Sequence, residues 1–140
     1  MDVWILYQYD GRIEGVYTAA GKAVRDRQRF DEALAKRERQ IAFINAEIKE
    51  LRELRQPYIT EAEMLLDTER EAKEANNTGL LKNTRKQRKV LLRQAEHLTY
   101  DIRCKEEKVL ASQRMTTAEL LYTYGDGNYW EEYCLQGEVN

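Results

Sequence analysis

Apolar and polar residues follow one period at the ends of the chain and another through its middle. Val3 to Tyr9 is dense in β-branched and aromatic residues, Asp10-Gly11 is a tight-turn signal, and Arg12 to Tyr17 resumes the same character, so a β-hairpin is predicted. Two strands alone are marginal in water and need further strands or a covering helix. Thr18 then offers a hydroxyl to the unpaired N–H groups of a first helical turn. From Ala19 to Arg55 there is no proline, and only Gly21 interrupts good helix formers. Phe30, Leu34, Ile41, Ile44, Ile48 and Leu51 recur at steps of three, four or seven, the seam of a coiled coil broken by Arg37.

Pro57 lacks a donor and clashes with the carbonyl four residues back, so the helix is expected to end or kink there, and Thr60 with Glu63 has the spacing of a capping box for a new helix. The seam keeps its phase through Tyr58, Ala62, Leu65 and Ala72, which favours a kinked arm over a reversal. Asn76-Asn77-Thr78-Gly79 cannot sustain a helix and is expected to form a tip. A second helix follows from Leu80 to Met115, with Leu91, Ala95, Leu98, Ile102 and Val109 on one stripe, and Thr116 with Glu119 suggests a cap and a short further turn. Residues 41–75 and 80–115 are thus nearly equal arms, each about 50 Å long. Folded back at the tip they end side by side, which returns the C-terminal segment to the first hairpin. There Leu121 to Tyr124 and Tyr129 to Leu135 flank the turn-rich Gly125–Asn128 as β-favouring segments.

The expected fold class is therefore mainly α (α+β), a long antiparallel helical coiled-coil hairpin inserted in a small antiparallel sheet made from both chain ends. In this reading the 140 residues form one domain. Residues 1–40 and 116–140 make a β-rich base with a covering helix, and residues 41–115 the hairpin. Charged residues at 34% and hydrophobic ones at 42% suit elongated helices with solvated faces rather than disorder. A net charge of -2 argues against a surface that attracts nucleic acid or anionic membrane everywhere. No apolar run approaches the roughly 20 residues of a membrane helix, and the first residues lack a signal-peptide pattern, so a cytoplasmic protein without membrane association is expected.

Candidate chemistry is sparse. Cys104 and Cys134 are too few for a disulfide framework and read as reduced thiols packed in a core or interface. His97, Asp101 and Cys104 share a helical face but lack the further ligands of a metal site, so His97 reads as a helix-surface residue. The carboxylates Glu47, Glu50, Glu53, Glu61, Glu63, Glu69 and Glu71 suit an exposed coiled coil, and no glycine group has the context of a phosphate loop. No catalytic residue, metal or cofactor is expected.

Two groups suit partner binding instead. Lys82, Arg85, Lys86, Arg88, Lys89 and Arg93 crowd the start of the second long helix. They suit phosphates or an acidic protein surface, against which stands pairing with the acidic arm Glu61 to Glu74 across the hairpin. Aromatic residues collect at the ends: Trp4, Tyr7, Tyr9 and Tyr17, then Tyr122, Tyr124, Tyr129, Trp130 and Tyr133. About half should build the core of the base, leaving candidates such as Tyr7, Tyr9, Tyr124, Tyr129 and Trp130 for a tyrosine-rich protein interface.

The opening VWILYQYDGRIEGVYTAAGKA and the closing YWEEYCLQGE resemble small phage and bacterial accessory proteins in which a hairpin with an Ile-x-Gly-Val-Tyr-Thr-like second strand leads into a helix. The resemblance covers the chain ends only, and the long helical insertion departs from the shortest members. It implies a phage-type accessory protein acting in the host cytoplasm, in a class that includes inhibitors of host defence such as anti-CRISPR proteins. It assigns no site residue. The functional expectation is a non-enzymatic inhibitor or adaptor that occludes a host protein, a nuclease or effector complex, through the hairpin or the tyrosine-rich base. The alternatives are a nucleic-acid-binding protein using the basic cluster and a structural homo-oligomer joined through its helices.

Overall fold

A computed structural model describes residues 2–134, in the order β1 (Asp2–Tyr7), β2 (Ile13–Tyr17), α1 (Ala19–Glu74), α2 (Thr78–Gln113), α3 (Thr117–Tyr124) and β3 (Tyr129–Cys134). The fold is mainly α, with two long helices packed together as a hairpin and a small antiparallel sheet drawn from both chain ends, as the hydrophobic pattern predicts. The chain divides into two compact units, Met1–Ile41 with Ala111–Asn140, and Ala42–Leu110.

In the first unit the strand order is β2-β1-β3, with both neighbours antiparallel to β1. The β1–β2 turn follows from its sequence: the Gly11 N–H donates to the Gln8 carbonyl at 2.8 Å, and Gly11 itself adopts φ 88°, a left-handed conformation that glycine takes without steric cost. Strand pairing ends at Tyr7, so Tyr9 lies in the turn and not in the expected strand. Between Leu6 and Tyr7 the register slips past Glu14, a bulge that frees this carboxylate to accept two hydrogen bonds from Arg25 of α1, at 2.8 and 3.2 Å.

Alternation decides which face of the sheet meets α1. Trp4, Leu6, Tyr17 and Trp130 share the inner face by register. Leu6 is fully buried, and the Trp130 indole N–H donates to Asp26 at 2.7 Å. The Lys22 ammonium lies 4.8 Å from the Trp4 ring centre, and Tyr17 meets Trp130 edge to face. Thr18 caps α1 by accepting the Gly21 N–H at 3.2 Å, as its position predicts.

The expected strand at Leu121 to Tyr124 is instead part of α3, and among the described residues the sheet has three strands. The cap explains this, because the Thr116 hydroxyl accepts the Glu119 N–H at 3.2 Å and starts a helix before the β-favouring residues are reached. Within that helix Leu120 is buried and the Tyr124 hydroxyl sits 3.0 Å from that of Ser112. The loop that follows is tied to α1, since Arg29 donates to the Asp126 carboxylate at 2.9 and 3.2 Å and to the Asn128 carbonyl at 2.7 Å. Leu135, expected in the last strand, lies outside the described residues.

In the second unit α1 contributes Ile44, Ile48, Leu51, Arg55, Tyr58, Ala62, Leu65, Glu69 and Ala72 to the seam, alternating steps of three and four, and α2 answers in the same rhythm from Leu81 to Val109. Pro57 neither reverses nor ends α1, which is continuous through it, and Thr60 opens no new helix: its hydroxyl accepts from the Gln56 side chain at 3.2 Å. The arm keeps its direction, as the unbroken phase of the seam predicts, because buried contacts on both sides of the proline outweigh the one backbone bond it cannot make. At the tip, Asn76 takes φ 54°, its N–H donates to the Lys73 carbonyl at 3.2 Å, and the Asn77 N–H donates to that of Ala72 at 2.9 Å. This is a Schellman closure with asparagine in the left-handed position. The Asn77 side chain then accepts the Leu80 N–H at 3.1 Å, so α2 starts at Thr78 and Gly79 is its second residue, not part of the expected loop.

Candidate interaction surfaces

The six basic residues of the tip separate into two sets. Glu69 is buried in the seam, where Arg88 reaches it at 2.5 Å and Arg85 at 3.1 Å. The Arg88 hydrogen bond, with the charges of both guanidiniums, holds the Glu69 carboxyl below the usual carboxylate range. Pairing across the hairpin thus accounts for Arg85 and Arg88. Lys82, Lys86, Lys89 and Arg93 remain exposed and make no ion pair among the described residues. Their steps of four, three and four place them on one stripe of α2, turned away from the seam residues Thr84, Leu91 and Ala95. Sequence spacing alone spread the six over more than one face; only the partner of each arginine reveals the row.

The aromatic candidates separate in the same way. Tyr7 and Tyr129 pair directly across β1 and β3 on the outer face of the sheet, rings stacked with centres 5.3 Å apart. Trp130 points to the inner face against α1, Tyr124 packs toward Ser112, and Tyr9 stands exposed in the β1–β2 turn. The outer face gains three residues that sequence reading did not select. Tyr133 lies within 3.0 Å of the Tyr7 hydroxyl, while Ile13 and Val16 of β2 stay 59% and 60% exposed beside it. Parity along YWEEYC was enough to find Tyr133, since Tyr129, Glu131 and Tyr133 must share a face. Ile13 was hidden because the bulge at Glu14 shifts it onto that face. Tyr133 donates to Glu131 at 2.6 Å, and that bond, with the one to Tyr7, pushes its phenol well above the usual range. The Tyr133 hydroxyl is thus held between Tyr7 and Glu131 as a hydrogen-bonding group.

Thiol chemistry is disfavoured at Cys134, which is exposed, so that of the expected core or interface packing the core is excluded: the hydrogen bond and negative charge of Asp2 push its thiol upward, away from thiolate. His97 is exposed on α2, and no group of three or more metal-ligating side chains converges among the described residues. The groove between Glu61 and Leu65 of α1 and Lys86, Val90 and Leu91 of α2 is an open surface depression without an acid–base pair around an enclosed cavity. No helix among the described residues is long and apolar enough to cross a membrane. Comparison with family models, curated proteins and solved structures finds no match to this chain.

Proposed function

We propose that the chain is a non-catalytic protein-binding adaptor or inhibitor whose primary contact is the outer face of the three-stranded sheet. One observation carries this reading: Tyr7, Ile13, Val16, Tyr129 and Tyr133 form a continuous face, with α1 covering the opposite side. Contiguous apolar surface of this kind is favourable to bury, at about 25 cal/mol per Å². Tyrosines already held by their neighbours lose little further freedom on binding and present hydroxyls at the rim. Among the described residues the paired positions of this face hold no lysine or arginine and do hold Glu131, which favours a protein partner over a phosphate backbone. Occlusion of a host nuclease or effector is the specific form suggested by the resemblance of the chain ends to phage accessory proteins. The test is affinity capture from the native host with the wild-type chain and with Val16→Glu/Tyr129→Ala. A stoichiometric protein held by the first and lost by the second, with circular dichroism unchanged, is the expected result. Equal retention by both, or no stoichiometric protein at all, overturns the proposal.

A further inference from the structure

The hairpin tip carries a second charged row, matched to the first. On α1, Glu63, Asp67, Glu71 and Glu74 follow steps of four, four and three, and all are exposed. At about 100° per residue they fall within a quarter of the helix circumference, on the side away from Ala62, Glu69 and Ala72, which are buried. The row Lys82, Lys86, Lys89 and Arg93 occupies the corresponding side of α2. The tip is therefore acidic on one broad face and basic on the other. Two helix diameters separate them, about 20 Å, which exceeds the Debye length at physiological salt, so neither row neutralises the other within one chain. Near the acidic row, Asp67 meets only Arg70, at 3.9 Å on the surface.

The rows also stand level. Glu69 meets both Arg85 and Arg88, which sets the register of the two helices to within a few residues. Stepping away from it in opposite directions brings Glu74 near the level of Lys82, Glu71 near Lys86, Asp67 near Lys89 and Glu63 near Arg93, with one common offset of at most about three residue rises, ~4.5 Å, that sliding of one copy along the other takes up. Helix stability does not call for the acidic row: the last turn of α1, where the dipole favours cations, holds Lys73 but also Glu71 and Glu74.

We infer that the two rows are the halves of one self-complementary contact, in which the basic row of one copy docks on the acidic row of a second copy lying parallel to it. In that arrangement α2 of one chain runs antiparallel to α1 of the next, and all four acid–base pairs meet at once. Met64 beside the acidic row and Val90 beside the basic one, 66% and 51% exposed, add apolar area. Because the patches differ, the contact is heterologous: every added copy leaves one acidic and one basic face free, and the assembly extends or closes into a ring. A nucleic-acid backbone would fit the basic row but would leave the acidic row, equal to it in number and level, without a role.

Sedimentation of the full chain at low and high ionic strength tests this. At low salt the weight-average mass is expected to at least double over the monomer, and to return to it at high salt. Lys86→Glu/Lys89→Glu and Asp67→Lys/Glu71→Lys are each expected to be monomeric alone, because each turns two of the four acid–base pairs into like-charged ones and leaves the changed row without net charge. Mixed in equal amounts they are expected to associate again, which also shows that both are folded. A wild-type chain monomeric at low salt, association that survives either double variant, or no recovery on mixing overturns the inference. So does a result in which only the lysine substitutions matter and what they abolish is the shift of a labelled oligonucleotide. Val16→Glu on the sheet is expected to leave the assembly unchanged, which keeps this test separate from that of the protein-binding face.

Discussion

Asp26 and Asp126 show what single residues contribute to the base. Partial burial pushes the Asp26 carboxyl upward, but hydrogen bonds from the Lys22 ammonium and the Trp130 indole outweigh it and leave the group below the usual carboxylate range. Asp126 is also pushed up by burial and brought lower overall by Arg29 and by the Asn128 N–H. Since both are depressed in the folded chain, their stabilisation is complete above the ordinary carboxylate pKa and is lost as pH falls through the depressed values. The thermal midpoint is expected to be flat near neutrality and to fall below about pH 4, less steeply for Asp126→Asn, in a pH series of calorimetric melts. An identical acid slope for the variant would contradict this role. Residue types were legible in the sequence here, but partners were not: Trp130 and Tyr124 looked like interface aromatics until their contacts with Asp26 and Ser112 placed them inward. The basic cluster was visible as a cluster, yet the division of Arg85 and Arg88 from the free row depended on which cations reach Glu69.

The continuity of α1 through Pro57 has a thermodynamic consequence. The proline is exposed and cannot donate to the Glu53 carbonyl, so the helix carries a defect that its seam tolerates. Pro57→Ala is expected to stabilise the hairpin by up to about 3 kcal/mol, read as a higher urea midpoint at unchanged slope. A lower midpoint would mean that the local shape set by the proline is required. Strong local chemistry made most elements legible, as with the Asp10-Gly11 turn, the Thr18 and Thr116 caps and the seam that keeps its phase from Ile44 to Ala72. Local signals competed at three places. At Pro57 a breaker opposed a persistent seam, and the arm keeps its direction as the seam predicts, whereas at Leu121 to Tyr124 strand propensity opposed a cap five residues upstream and gave a strand where the chain is helical. At Gly79 composition suggested a loop, while the Asn77 side chain supplied a helix start.

At the scale of the whole molecule, one continuous helix serves two compact units, so the relation between them bears on how the chain opens. Leu6 lies at the centre of the first unit, fully buried between the sheet and α1. Leu6→Ala removes its packing and leaves a cavity, at a cost of about 2–5 kcal/mol. The seam of the second unit is closed by its own apolar steps and by the Glu69–Arg88, Glu47–Lys105 and Arg52–Glu106 pairs. Hydrogen exchange is therefore expected to speed up at the amides of β1, β3 and the first turns of α1 in this variant, while amides from Ile48 to Ala72 and Thr84 to Ile102 keep most of their protection. A uniform loss along the chain would show that the shared helix couples the units into one cooperative structure. Retained hairpin protection would mean that the sheet face and the charged tip rest on separately stable supports, so that substitutions on one surface can be interpreted without disturbing the other.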